Sequence, residues 1–148
     1  MNIYLRKADM DDAGDVLNWR NDELTRENSF NHDRISLLSH MKWFEKKLSQ
    51  EGTYMFILMD GQDKVGHIRV DVTEDIGEIS YMIAPAFRGR GYGSRAIALV
   101  EKEMPQEVHS LMGLTLKTNR ASGRCFEKNG YTPSDAGDAL CYSKGIDR

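Results

Sequence analysis

The chain has 148 residues, 40% of them apolar and 29% charged, with a formal net charge of −3 at pH 7. That length fits one domain with its own core, and the acidic balance argues against a general nucleic-acid binder, which would carry a basic surplus. Cys125 and Cys141 are too few for a disulfide framework or a metal knuckle, and no stretch approaches the roughly 20 apolar residues of a membrane span. The N-terminal MNIYLRKADMDD holds no apolar signal run, so a cytoplasmic protein with reduced thiols is expected.

Ile3 to Ala8 reads as a first strand, ended by the acidic Asp9-Met10-Asp11-Asp12. Asp11 or Asp12 caps a helix to about Arg20, and Trp19-Arg20-Asn21-Asp22 closes it in a loop. The polar, irregular stretch Asn28 to Asp33 is placed to border a pocket. Ser36 caps a second helix, with Leu37, Leu38, Met41, Phe44 and Leu48 at helical spacing. Tyr54 to Met59 is a buried-strand pattern, Asp60-Gly61-Gln62-Asp63 turns the chain, and Lys64 to Thr73 returns as an alternating strand. After Glu74–Gly77 a third strand of this meander runs from Glu78 to Ile83.

Pro85 stops that strand, and a loop of glycines and arginines leads into a helix over Ser94–Met104 that buries Ile97, Val100 and Met104. Leu111 to Lys117 is another strand. Asn119 caps a last helix ending at Asn129-Gly130, and Tyr131 with Leu140 to Ser143 suggests two short final strands. Helices flanking a mostly antiparallel meander predict an α/β (α+β) domain of three layers, α-β-α, on a mixed sheet of six or seven strands with four helices.

The loop Arg88-Gly89-Arg90-Gly91-Tyr92-Gly93 before Ser94 can bring backbone amides onto an anion at a helix N-terminus, a phosphate or pyrophosphate cradle. A nucleoside-triphosphate loop would end in Gly-Lys-Ser/Thr, and Gly93-Ser94-Arg95 does not. Gly91-x-Gly93-x-x-Ala96 nominally fits a dinucleotide fingerprint. That fingerprint needs a parallel βαβ unit and a later acidic residue, and Leu111 to Leu116 has no carboxylate.

Arg88-x-x-Gly91-x-Gly93 resembles the arginine/glutamine-x-x-glycine-x-glycine/alanine acyl-CoA motif of the Gcn5-related N-acetyltransferase (GNAT) superfamily. Asn119-x-x-Ser122 followed by Phe126-Glu127-Lys128-Asn129-Gly130-Tyr131 resembles that family's later segments, and the element order matches over essentially the whole chain. The resemblance implies transfer of acetyl from acetyl-CoA, as co-substrate and without a metal, to a primary amine. It places the CoA pyrophosphate on the amides and side chains of Arg88, Gly89, Arg90, Gly91, Tyr92, Gly93 and Ser94. It lays the pantetheine arm along Tyr81, Met82 and Ile83, with Asn119, Ser122 and Phe126 beside it. An N–H of Met82 or Ile83 would polarise the thioester carbonyl.

An alkyl ammonium has a pKa near 10, so the acceptor needs a base, and Glu78 at the start of the central strand is the first candidate. His67 and Asp71 on the adjacent strand are weaker alternatives. In the family a tyrosine, in a pattern resembling leucine-tyrosine-glutamate-lysine, usually protonates the leaving thiolate. Here Cys125-Phe126-Glu127-Lys128 puts Phe126 at that position, so Ser122, Tyr131, Tyr142 or water takes the role, or the thiolate leaves unprotonated.

Trp19-Arg20-Asn21-Asp22 and His40-x-x-Trp43-Phe44 resemble a subset that contains ribosomal-protein N-terminal and amino-sugar-nucleotide acetyltransferases. The resemblance puts Trp19, Arg20 and Asn21, with Ser80 on the face of Glu78, at the acceptor. The expected acceptor is a small amine or amino sugar, nucleotide-linked or free, with a protein N-terminus as the alternative. A catalytically silent acyl-CoA-binding domain is a further alternative, given the missing tyrosine. No nucleic-acid or membrane partner is expected, and the chain would be a monomer or an edge-strand homodimer.

Overall fold

The computed structural model describes residues 2–146, in which seven strands form one sheet in the order β1-β2-β3-β4-β5-β7-β6. β1 (Ile3–Lys7), β2 (Thr53–Asp60), β3 (Asp63–Thr73) and β4 (Ile76–Ile83) make an antiparallel meander. β5 (Ser110–Leu116) lies parallel to β4, and β7 (Ala139–Gly145) and β6 (Thr132–Ala136) continue from it antiparallel. Pro133, which has no N–H to donate, sits on the edge strand β6, as ladder chemistry requires.

Strand alternation sends successive side chains of β2 to opposite helix layers. Met55, Ile57 and Met59 pack with Ala13 and Val16 of α1 (Ala13–Asn21) and Phe44 of α3 (Leu37–Ser49). Phe56 and Leu58 join Ile97 and Val100 of α4 (Tyr92–Glu103) and Phe126 of α5 (Arg120–Lys128). The result is the expected three-layer α-β-α sandwich. No helix among the described residues is long and apolar enough to cross a membrane.

Two local expectations change. A short fifth helix, α2 (Glu23–Glu27), stands where a loop was expected, because the Asp22 carboxylate accepts the Thr25 N–H at 3.2 Å and caps it. Leu37 and Leu38, grouped with the buried face of α3 by their spacing, are 62% and 66% exposed, since the helix is buried only from His40 onward.

The turn between β1 and α1 is held by Asp12, whose carboxylate is buried. It accepts two bonds from Arg6 at 2.8 and 2.9 Å and one from the Asp9 N–H at 2.9 Å, with Lys64 Nζ 2.8 Å away. Burial works against the charged form. The hydrogen bonds from Arg6 and Lys64 outweigh it and hold the carboxyl well below the usual carboxylate range. The contribution is therefore present above the unfolded aspartate pKa of about 4 and is lost as pH falls toward the lower folded value. We expect Asp12→Asn to cost about 2 kcal/mol in urea unfolding at neutral pH, with the gap to wild type narrowing below about pH 4.

Candidate active site

β4 and β5 pair at only three positions, Ile76 with Ser110, Gly77 with Leu111 and Glu78 with Met112. Beyond them β5 pairs with β7 alone, and β4 from residue 79 to 83 has β3 as its strand neighbour on one edge and none on the other among the described residues. A cavity of about 660 Å³ occupies the opening, reaching from β4 and α5 to the wall formed by α1, α3 and the residues after α2. The Ala84 N–H donates to the Val65 carbonyl at 2.8 Å, which fixes the phase of the strand. By that alternation the Met82 N–H points to β3, whereas those of Tyr81 and Ile83 point to the open edge. Of the two amides expected to face a thioester, Ile83 keeps that orientation and Met82 does not.

The glycine loop lies between β4 and α4. Gly89 and Gly91 have φ of 76° and 81°, a conformation that disfavours other residues. Gly91 is the N-cap of α4 and provides no side-chain cap, so the first-turn amides remain available to an anion. Gly93 is needed for a different reason: a Cβ there would lie 3.0 Å from the Tyr81 ring and 3.1 Å from Cys125 Sγ. Asn129, the C-cap of α5, braces this turn, donating to the Ser94 carbonyl at 3.0 Å.

Two side chains of the loop are engaged elsewhere. The Arg88 guanidinium is paired with Asp22 and donates to Thr25 Oγ1 at 2.9 Å, holding the Asp22 carboxyl below its usual range. Tyr92 turns into the core, its hydroxyl 2.5 Å from Asp60 Oδ2, which leaves its backbone for any phosphate contact. Arg90 is exposed, 5.5 Å over the Phe87 ring.

Across the cavity, the Tyr81 hydroxyl donates to Ser122 Oγ at 3.0 Å. Burial, with Cys125 adding to it, pushes the Tyr81 phenol above its usual pKa and keeps it protonated. Asn119 caps α5 by accepting the Ser122 N–H at 3.3 Å, and it lines the cavity together with Ser122 and Phe126. Tyr131 is not part of this group. Its hydroxyl donates to Glu101 Oε2 at 2.9 Å within the core behind α4, so the geometry does not bring it to the cavity. Tyr142, stacked on Phe126, is likewise turned toward Glu127.

The opposite face of the sheet carries Glu78, Ser80 and Met82 of β4 across from Asp71, Arg69 and His67 of β3. Glu78 and Ser80 line the cavity. Asp71 is engaged by Arg69 at 2.8 Å and Lys47 at 3.1 Å, which leaves it a poor base. His67 is buried, its pKa brought down to about 3 chiefly by that burial, and its Nε2 has no hydrogen-bond partner. Of the tryptophan-arginine-asparagine run, Arg20 alone lines the cavity. Trp19 packs against the α1–α3 core, and Asn21 bonds both backbone groups of Ile35 at 2.7 and 2.9 Å, pinning the segment that precedes α3.

Sequence reading missed Arg69 and the cavity role of Trp43, whose ring lies 5.0 Å from the Arg69 guanidinium carbon. The signal was present. His67, Arg69 and Asp71 are three polar residues at alternate positions of a strand whose other face is Val70 and Ile68.

Residues 2–132 match the family described as Acetyltransferase (GNAT) domain, and the chain belongs to that family of acetyl-CoA-dependent N-acetyltransferases. Among solved structures, spermidine N-acetyltransferase from Vibrio cholerae, in complex with CoA and spermine, has a TM-score of 0.88 at 15% identity, covering 98% of this chain and 96% of that one. The aminoglycoside acetyltransferase AAC(6')-Ib with coenzyme A and kanamycin gives 0.85 at 18%, covering 97% and 95%. RimL, the ribosomal L7/L12 α-N-protein acetyltransferase with coenzyme A, gives 0.84 at 15%, covering 99% and 96%. At these identities the likeness is one of fold, and the three proteins differ in what they acetylate. No curated protein matches the sequence.

Proposed function

We propose that this protein binds acetyl-CoA in the opening between β4 and β5 and transfers the acetyl group directly to a primary amine of a small molecule or amino sugar. The observation that carries the reading is one cavity lined by an unpaired strand edge, a carboxylate and a hydroxyl pair, with an uncapped glycine-led helix start following that strand. The loop amides hold the pyrophosphate, and the open edge of β4 receives the pantetheine arm. The amine nitrogen attacks the thioester carbon while the Ile83 N–H stabilises the oxyanion. The new C–N bond replaces the C–S bond, Glu78 takes the ammonium proton directly or through water, and the sulfur leaves toward Ser122.

The Tyr81–Ser122 pair supports activity despite Phe126. With Tyr81 as donor to Ser122, the serine's own hydrogen can turn to the departing sulfur. That arrangement favours an enzyme over a silent acyl-CoA-binding domain.

The first test is release of CoA thiol from acetyl-CoA over amino sugars, amino acids, polyamines and N-terminal peptides. Turnover on none of them, with acetyl-CoA binding intact, would overturn the transferase reading. Gly91→Trp puts a bulky side chain into the cradle at a left-handed φ, and acetyl-CoA affinity by calorimetry should fall more than about tenfold while the fold survives. Glu78→Gln should lower kcat by about a hundredfold, most at low pH where the amine is protonated, and an unchanged pH–rate profile would remove it as base. Ser122→Ala should lower kcat about tenfold with KM nearly constant, as expected for a hydrogen bond made to the developing thiolate.

A further inference from the structure

Resting on the transferase reading, we infer that the acceptor carries an anionic oxygen group, a carboxylate or a phosphate ester, which docks on Arg20 while its amine faces Glu78. Arg20 lines the cavity from α1 and is partly buried. Its hydrogen-bond partner is neutral, Ser29 Oγ at 3.0 Å, and that hydroxyl itself donates to the Thr25 carbonyl at 2.6 Å. No carboxylate lies within ion-pair distance of it among the described residues. The contrast with its neighbours is plain: Arg6 pairs with Asp12, Arg69 with Asp71 and Arg88 with Asp22.

Burial and the nearby Arg69 charge both work against the Arg20 cation, yet a guanidinium does not shed its proton in this range. A partly desolvated cation with unused donors and a like-charged neighbour is stabilised by an incoming anion, which a planar fork can hold bidentately. His67 adds a second open valence. It forms part of the same wall, is kept neutral by burial, and has a buried Nε2 without a partner. A neutral imidazole can donate to or accept from a polar ligand without adding to the charge, and an unsatisfied buried nitrogen calls for such a partner.

Glu78, from β4, is the complementary feature: an exposed carboxylate on the cavity wall with no side-chain partner among the described residues. One cavity thus offers an open negative charge to the reacting ammonium and an open positive charge to a second group. A polyamine would set its second ammonium against Arg20 and Arg69. The fold shared with a spermidine acetyltransferase therefore does not carry that acceptor class to this chain.

The test measures kcat/KM with acetyl-CoA for two matched sets: butylamine, γ-aminobutyrate and putrescine; glucosamine and glucosamine phosphate. The anionic member should exceed its neutral parent by about tenfold or more, mainly through KM, and putrescine should be poorest. The carboxylate and phosphate arms decide which anion is recognised. Arg20→Gln should bring the anionic-to-neutral ratio of kcat/KM to about one, and Arg20→Lys should restore part of the preference. A binding readout runs alongside, thermal shift of wild type and Arg20→Gln with γ-aminobutyrate, glucosamine phosphate and inorganic phosphate. Arg20-dependent stabilisation without turnover on any amine would support the anion site and sink the transferase reading. Turnover that favours neutral amines or putrescine, or the lack of any Arg20-dependent anion effect in both assays, would overturn the inference.

Discussion

The separation of β4 from β5 after three residue pairs is the constraint on which the site depends. A central strand normally satisfies its backbone on both sides, and one left open holds amides and carbonyls that need water or a ligand. Gly77 sets the close end of the opening: a Cβ there would come within 2.7 Å of both Leu111 Cδ2 and Val70 Cγ1, so the two strands meet tightly. Two residues further along β5, at Gly113, the Phe126 ring lies where a Cβ would be, within 2.2 Å. The aromatic ring of α5 thus meets β5 with its tip, beside the point where its partner strand departs. The glycines of this region serve packing as much as turns.

The glycine loop and the start of α2 are joined by an electrostatic strut. Arg88 belongs to the loop that leads into α4, and Asp22 belongs to the start of α2 on the opposite layer. Asp22 also caps α2, so a single carboxylate both begins that helix and ties it to the glycine loop. The arginine of the acyl-CoA motif therefore acts in this state as an organiser of the cleft. Its charge is already matched, so the anion site proposed at this loop rests on its amides and on Arg90.

Periodicity and punctuation made most of the fold legible. The meander, both long helices after it and the caps at Ser36 and Asn119 follow from alternation, helical spacing and side-chain acceptors at helix starts. Less legible was anything decided by distant partners. Asn21 looks like a substrate residue until Ile35, fourteen residues on, takes up its amide. Tyr131 looks like an available phenol until Glu101 of another helix accepts its hydrogen bond. Arg20 reads the same as Arg88 in a sequence, and only the three-dimensional arrangement distinguishes the paired cation from the unpaired one. The phase of the β4 amides belongs to this group too, since it rests on which strand flanks each edge.

The absence of the family's tyrosine at Phe126 has a geometric basis. The ring atom nearest the position of a Gly113 side chain is Cζ, the atom to which a tyrosine hydroxyl would be bonded. A hydroxyl added at that tip would be driven into the β5 backbone and away from the cavity, where it would also lack a buried partner. With Phe126 stacked 5.5 Å from Tyr142 and edge-on to Tyr81 at 6.1 Å, this position is a packing hub for α5. Tyr81 comes from β4, in the gap that Gly93 leaves by having no Cβ, and presents its hydroxyl to Ser122. Phe126 on the helix and Tyr81 on the strand thus meet edge-on in the same tight packing of α5 and α4 over the open edge.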